Sequence, residues 1–139
     1  VHTTATITTM GIIVGLGNAA VTDFTFGTPA AGDAIVAVYF DGTNNWRLLT
    51  GTDTLLTSTV GANPVVGSTD YYFDLIYVPG QFAAAWVNGD DYMLSTTNVP
   101  STTFDLNPWI GVQTSTAATR TIRVDSFFSD FISPDPTPI

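Results

Sequence analysis

The chain contains no cysteine, no lysine and no glutamate. Without cysteine it can form no disulfide bond, no thiolate nucleophile and no cysteine-ligated zinc site. Its basic residues are three arginines, Arg47, Arg120 and Arg123, and its 12 acidic residues are all aspartate, which gives a formal net charge of −9. Nucleic acids and anionic membrane surfaces are bound through clustered lysine or arginine. The composition therefore predicts neither a nucleic-acid partner nor a membrane partner.

Long apolar runs and charged residues are also scarce. No run reaches the roughly 18 apolar residues of a membrane span, and no basic, apolar leader is visible, so we expect neither a transmembrane helix nor a signal peptide. Only 11% of the residues are charged, against about 25% in typical soluble domains. Threonine, serine, asparagine and glycine must cover the surface instead. Because glutamate and lysine favour helices, whereas threonine, valine, isoleucine and aromatic residues favour strands, this composition predicts β structure.

The length of 139 residues is enough for one domain with a two-layer core. We expect a single domain over residues 1–132. Residues 133–139 contain three prolines, which cannot donate ladder hydrogen bonds, so this segment is interpreted as a tail or linker. The start at Val1 rather than at methionine indicates a processed or partial chain.

The first half of the chain predicts five strands. Residues 3–16 contain alternating threonine and apolar residues and then an apolar run, with Gly11 as a bend between two short strands. Residues 17–33 have the composition of a loop. The continuous apolar run at residues 34–40 predicts a buried strand, paired in a hairpin with residues 46–50. Residues 51–69 predict one modest strand among loops.

The second half has the clearer pattern. Residues 71–78 and 82–88 alternate between two faces and are separated by the turn Pro79-Gly80, and the turn at Asn88-Gly89 leads into residues 92–95. Residues 109–115 and 121–129 predict the last two strands. No segment has helical periodicity, so about ten short strands separated by glycine, proline and asparagine turns predict an all-β, antiparallel β-sandwich or jelly roll.

The order of motifs in residues 71–131 resembles the C-terminal strands of concanavalin A-like lectin and glucanase domains of bacteriophage virion proteins. The shared motifs are a YYFDL strand at residues 71–75, a strand ending in Asn88-Gly89, an Asn-Val-Pro segment at 98–100, a Leu-x-Pro segment at 106–108, and an Ile-x-Val-Asp strand at 122–125. The resemblance covers about half of the chain. It implies a concanavalin A-like jelly roll whose usual first strands are missing upstream of Val1.

The glucanase members of that family need a pair of carboxylates about 5 to 10 Å apart, one acting as acid and the other as nucleophile or base. The chain has no glutamate, and its aspartates are dispersed except for Asp90-Asp91, which lie in a predicted turn. His2, the only histidine, lies near the chain start, where disorder concentrates, and has no nucleophile motif nearby. We therefore predict no enzyme activity, no catalytic residue and no cofactor.

Two segments are weak calcium candidates. Residues 37–45 resemble the metal-binding strand of legume lectins, with Asp41 and Asn45 in place but Tyr39 where the needed glutamate would stand. Asp90 and Asp91 could supply oxygen atoms to a second site. Calcium binds six to eight oxygens with several carboxylates, so the alternative, that both segments are turns in which aspartate is favoured, is preferred. No metal site is assigned.

Tryptophan side chains are the candidates for stacking on a sugar ring. Trp86 and Phe82 share one face of a predicted strand that ends at Asn88, and Trp46 lies in the predicted hairpin. These four residues are the predicted carbohydrate-binding set. The alternative is that the aromatic side chains are core, or contact a neighbouring subunit.

The sequence therefore leads to two main hypotheses, besides a third, a glycoside hydrolase remnant in which Asp41 or Asp91 would be needed for any polysaccharide cleavage. The first is a non-enzymatic virion structural protein, such as a capsid decoration, head-fibre or tail-associated domain, which contacts other virion proteins or copies of itself at the virion surface. The second is a carbohydrate-binding module that recognises host or extracellular glycans. Low surface charge suits the first, since few ions must be desolvated at a permanent contact. The phage assignment rests on the resemblance alone.

Overall fold

The computed structural model describes residues 1–3, 6–8, 10–18, 32–42, 45–114 and 122–126. Within these ranges the chain contains no helix and forms eight strands. The strands are β1 (Met10–Gly17), β2 (Ala34–Phe40), β3 (Asn45–Thr52), β4 (Leu55–Pro64), β5 (Phe73–Val78), β6 (Phe82–Val87), β7 (Asp91–Ser95) and β8 (Asn107–Thr114). The prediction of an all-β protein is confirmed.

The strands form two antiparallel sheets. The larger sheet has five strands in the order β4-β3-β2-β1-β8, and the smaller sheet has three in the order β5-β6-β7. The smaller sheet packs over β2, β3 and β4, with β7 beside β4 and β5 over β2. The molecule is therefore an antiparallel β-sandwich, as predicted.

The core between the sheets is built around Trp46, which is 1% exposed. Its ring lies 5.6 Å from that of Phe40, 5.2 Å from that of Tyr71 and 4.8 Å from that of Phe73, measured between centroids. The smaller sheet contributes mainly small side chains to this core. They are Ala83, Ala85 and Val87, together with Met93. Aromatic residues from the larger sheet and from residues 71–73 thus fill the space that the alanines leave.

The larger sheet is also buried on its other face. Ile13, Ile35, Ala37 and Tyr39 form a second buried cluster there with Leu49. Every residue of β2 is buried. The continuous apolar sequence of β2 reflects this, because a strand buried on both faces does not alternate between apolar and polar residues.

Polar side chains join β7 to β4 and to the neighbouring strand β3 of the larger sheet, along a line that we call the β4–β7 seam. At one end, the Asp91 carboxylate accepts hydrogen bonds from the backbone N–H groups of Ala62, at 2.6 Å, and Asn63, at 3.2 Å. At the other end, the Thr50 and Ser95 hydroxyls lie 2.7 Å apart in a buried pair, and Thr50 also donates to the carbonyl of Thr97. These bonds fix how the smaller sheet sits on the larger one.

Several element boundaries differ from the sequence prediction. In place of two strands with a bend at Gly11, the structure has one strand, β1, in which Gly11 pairs with Gln113 of β8. β4 extends over ten residues rather than forming a modest strand. The expected hairpin of β2 and β3 is confirmed by the register Tyr39↔Arg47.

The chain ends also differ from expectation. His2 is paired rather than disordered: it forms isolated bridges with Asp70 and Arg123, and its Nδ1 lies 2.8 Å from the Asp70 carboxylate. Of the strand predicted at 121–129, residues 122–126 are described, and the β pairing among these residues is the isolated bridge between Arg123 and His2. The tail at 133–139 lies outside the described residues.

Candidate functional site

The structure separates the predicted carbohydrate-binding residues into two places. Phe82 and Trp86 lie on the solvent side of the smaller sheet, whereas Trp46 and Asn88 line a cleft at one end of the sandwich. Trp46 is buried in the core and cannot present a ring face to a sugar. The inclusion of Trp46 in a stacking surface was therefore wrong, because its strand turns that side chain inward towards the smaller sheet.

The solvent side of the smaller sheet, which we call the outer face, follows from strand alternation. Phe73, Leu75 and Tyr77 of β5 pack against the core, so the intervening side chains point outward. The same alternation holds in β6 and β7, where Ala83, Ala85 and Met93 are buried in the core. The outer face is formed by Asp74, Ile76, Val78, Phe82, Ala84, Trp86, Tyr92 and Leu94.

Register places these side chains in three rows across the sheet. The first row holds Asp74, Trp86 and Tyr92, the second holds Ile76, Ala84 and Leu94, and the third holds Val78 and Phe82. Small Ala84 thus lies at the centre between Ile76 and Leu94 and is only 3% exposed, because larger apolar side chains surround it.

The outer face is apolar and accessible. Ile76 is 49% exposed, Tyr92 50% and Leu94 45%, and neighbouring Tyr72 is 73% exposed. Asp74 is the only charged residue on the face. In a chain with a net charge of −9, a contiguous apolar sheet face with a single charged residue is the surface best suited to contact with another molecule.

The Trp86 and Tyr92 rings form the most aromatic part of the outer face. Their centroids lie 5.0 Å apart with planes inclined at 40°. Asp74 is the direct cross-strand neighbour of Trp86. An aromatic pair with one carboxylate beside it offers a ring surface and a hydrogen-bond acceptor, the two groups that a sugar needs.

The second place is the end cleft, which lies where the β6–β7 turn approaches the segment that follows β4. It encloses about 250 Å³. Its walls are formed by Trp46, Asn63, Pro64, Val66, Thr69, Tyr71, Val87, Asn88, Asp90 and Asp91. The turn that closes it lies between the paired residues Val87 and Asp91. It has positive φ at Asn88 (55°) and Gly89 (82°), a conformation that asparagine and glycine adopt readily.

Hydrogen bonds hold the cleft walls in place. The Asn88 side-chain carbonyl accepts from the backbone N–H of Tyr72 at 2.9 Å. The Tyr71 hydroxyl accepts from Val66 N at 2.6 Å and donates to the Val66 carbonyl oxygen at 3.2 Å. These bonds tie the β6–β7 turn to the start of β5, and Tyr71 to the segment that follows β4.

The calcium candidates do not form a common site. Asp41 lies 3.8 Å from the guanidinium of Arg47, and the Asn45 side chain donates to the Gly61 carbonyl at 2.7 Å. Both carboxylate oxygens of Asp91 accept backbone N–H bonds. In the described ranges, no three histidine or aspartate side chains are grouped closely enough to hold a metal ion.

Burial raises the pKa of two tyrosine hydroxyls, one in each sheet. It raises the pKa of the Tyr39 hydroxyl well above its usual range, with Asp41 adding in the same direction and Arg47 opposing. Burial likewise raises the pKa of Tyr77, whose hydroxyl donates to the Pro100 carbonyl at 2.8 Å. Neither shift produces a base or nucleophile near neutral pH, since a raised tyrosine pKa keeps the phenol protonated.

Sequence reasoning missed two kinds of residue. Ile76, Tyr92 and Leu94 on the outer face were available from the alternation of residues 73–78 and 91–95, once the inward side had been fixed. The role of Asp91 had no such signal, because its partners are backbone N–H groups about 30 residues earlier in the chain. Asp125, the aspartate of the Ile-x-Val-Asp motif, forms an exposed ion pair with Arg123 at 3.1 Å.

No protein-family model matches the chain, and no curated protein and no solved structure is significantly similar to it. The concanavalin A-like assignment thus stays a prediction from sequence motifs. Among the described residues there is also no helix with the length and apolar character to cross a membrane.

Proposed function

We propose that this chain is a non-enzymatic structural protein of a virion surface, such as a capsid decoration, head-fibre or tail-associated domain with a concanavalin A-like jelly-roll fold. It works by protein–protein contact through the outer face of the smaller sheet. Its partners are neighbouring virion proteins, including copies of itself.

The observation that carries this proposal is the apolar character of the outer face. Three of its residues, Ile76, Tyr92 and Leu94, each expose about half of their side chain. Soluble monomers rarely expose contiguous apolar patches of this kind unless a partner covers them. The face also contains aromatic residues and one charge, which is the composition of the buried centre of an interface rather than of its rim.

The low charge of the chain and its sequence motifs support the same proposal. Apart from Asp74, no charge has to be desolvated when the outer face is covered. The resemblance of residues 71–131 to phage virion domains supplies the virion part.

The test replaces outer-face residues by aspartate. The variants Ile76→Asp and Leu94→Asp place a charge at the centre of the face. Their matched controls are Val60→Asp and Leu55→Asp, because these residues are 52% and 58% exposed but belong to β4 of the larger sheet. Light scattering measures assembly of the purified chain, and mass spectrometry of particles from the native source measures incorporation.

We expect the outer-face variants to lose assembly or incorporation by at least tenfold, with circular dichroism unchanged, while the β4 variants behave as the unmodified chain. If the outer-face variants and the β4 variants assembled or were incorporated equally well, the outer face would not be the contact surface. A chain that remains a monomer and is absent from native particles would contradict the structural function itself.

Carbohydrate binding is the second candidate, and the adjacent Trp86 and Tyr92 rings with Asp74 favour it. Its test is a glycan array with the unmodified chain and with Trp86→Ala and Tyr92→Ala. Binding that both substitutions abolish would support a glycan-recognition function. An array without bound glycans, or binding that survives both changes, would remove this candidate from the outer face.

A further inference from the structure

We propose that the outer face binds an arginine side chain of its partner, at the row that Asp74, Trp86 and Tyr92 form across the smaller sheet. The partner is the protein that covers the outer face in the proposed function, on which this inference therefore rests. Asp74 is the residue that requires a cation, and the two aromatic rings beside it favour a guanidinium.

Asp74 is the only charged residue of the outer face, and its side chain is exposed. Among the described residues it belongs to no ion pair, and no group there donates a hydrogen bond to its carboxylate. A partner that covered the face with apolar groups alone would take this carboxylate out of water without a counter-charge, which is strongly unfavourable. The surface that covers the face therefore carries a positive charge opposite Asp74.

Two aromatic rings lie beside this carboxylate. Trp86 is the direct cross-strand neighbour of Asp74, and Tyr92, which is half exposed, is the direct neighbour of Trp86 on its other side. Direct neighbours have Cβ atoms about 4.5–5.5 Å apart, and the two ring centroids are 5.0 Å apart. A cation is attracted to an aromatic face within about 6 Å of the ring centroid. One cation above this row can therefore contact the rings and the carboxylate together.

Arginine fits this row better than lysine does. The planar guanidinium stacks on aromatic rings and donates two parallel hydrogen bonds to one carboxylate, whereas the lysine ammonium is a compact and more strongly hydrated charge. The next row of the face contains the apolar side chains of Ile76 and Leu94. The aliphatic part of an arginine side chain can pack against them.

The net charge of the chain favours a different protein, rather than a second copy, as the source of the arginine. With 12 aspartates and three arginines per chain, two copies repel each other, and like charges that face one another suppress association. The Arg47 guanidinium lies 3.8 Å from the Asp41 carboxylate and that of Arg123 lies 3.1 Å from Asp125, so each already has a carboxylate beside it. Arg120 lies outside the described residues. The partner is therefore a neighbouring virion protein whose contact surface presents an arginine among apolar side chains.

The first experiment follows the Trp86 indole N–H signal of the ¹⁵N-labelled full chain by NMR, assigned with Trp86→Phe. The probes are the capped tripeptides Val-Arg-Val, Val-Lys-Val and Val-citrulline-Val, titrated at constant chloride concentration. Citrulline has the shape of arginine without its charge, and methyl glucoside is titrated as the competing ligand class. Asp74→Asn removes the carboxylate charge. Its matched control is Asp105→Asn, which makes the same change at an exposed position in the segment before β8.

We expect the arginine peptide to shift the Trp86 signal saturably and to bind at least threefold more tightly than the lysine peptide, while the citrulline peptide gives no saturable shift. Asp74→Asn should weaken arginine binding at least fivefold, and Asp105→Asn should leave it unchanged. The site is overturned if the arginine and citrulline peptides bind alike, if the two aspartate variants have equal effects, or if the glucoside alone binds. It is equally overturned if no probe gives a saturable shift.

A second variant separates this site from the proposed function. Asp74→Leu removes the charge from the outer face, and its incorporation into particles from the native source is compared with that of Ile76→Asp. If the partner presents an arginine, Asp74→Leu lowers incorporation at least tenfold, because a guanidinium is left without its carboxylate. If incorporation rises instead while Ile76→Asp abolishes it, the arginine site is overturned and the outer face stands as the contact surface. Arginine binding by a chain whose incorporation Ile76→Asp does not affect would support the site and contradict the proposed function.

Discussion

Gly61 leaves the space that the Asp91 carboxylate occupies. A Cβ atom at position 61 would lie 2.6 Å from Asp91 Oδ2 and 2.9 Å from Oδ1. The carboxylate cannot easily move aside, because it is 2% exposed and both oxygens accept backbone hydrogen bonds from β4. A missing side chain in one sheet thus allows a charged side chain of the other sheet to bond with its backbone.

Gly61→Ala should destabilise the protein by about 1–3 kcal/mol, the usual cost of overpacking a buried site. The added methyl group must displace a carboxylate that two backbone donors hold. Urea unfolding followed by tryptophan fluorescence measures the change in the free energy of unfolding. A variant as stable as the unmodified chain would show that the Asp91 side chain has another position available.

Asp91→Asn should cost a similar amount, about 1–3 kcal/mol, because an amide offers one acceptor oxygen where Ala62 N and Asn63 N require two. The matched control is Asp90→Asn, which makes the same chemical change at the exposed neighbouring position. It should change the free energy of unfolding by no more than about 0.5 kcal/mol. Equal losses in the two variants would indicate an effect of net charge rather than of the hydrogen bonds.

Thr50→Val tests the other end of the β4–β7 seam. The substitution keeps the shape of the side chain but removes a buried hydroxyl that contacts Ser95 and the Thr97 carbonyl. The expected loss is about 1–2 kcal/mol, measured by thermal or urea unfolding. Thr96→Val, at an exposed threonine in the same region, serves as the control and should be nearly neutral; a cost at Thr96 as large as that at Thr50 would argue against a special role for the buried pair.

Stability should fall in strongly alkaline solution, partly because of Tyr39. Burial raises the pKa of its hydroxyl above its usual value of about 10, so the folded state holds the proton more tightly than the unfolded state does. This contribution is complete below about pH 10 and is lost as the pH rises further. Tyr39→Phe should therefore reduce the slope of unfolding free energy against pH above 10, and an unchanged slope would contradict this assignment.

The sequence predicted the β class, the β2–β3 hairpin and the strands of the smaller sheet, because these depend on local alternation and on turns such as Asn88-Gly89. The end cleft was not predicted. Its walls come from β3, from residues 63–71 and from the β6–β7 turn, and no local pattern specifies which of these segments will meet.

The placement of tryptophans shows the same limit. Trp46 and Trp86 look alike in sequence, since each lies in a strand next to a turn. Trp46 faces the other sheet and Trp86 faces solvent, and that difference depends on which side of each strand is covered. The pairing of His2 with Asp70 likewise depends on tertiary contacts across 68 residues.

The β4–β7 seam attaches the smaller sheet to the larger sheet along one edge of the sandwich. β7 is bonded to the larger sheet at both of its ends, whereas in the described part of the chain β5 pairs only with β6. Small displacements of the smaller sheet should therefore be rotations about the β4–β7 seam, in which β5, the strand furthest from the seam, moves most. A partner bound across the outer face would contact both the anchored strand β7 and the more mobile strand β5. Binding should therefore slow amide hydrogen exchange in β5.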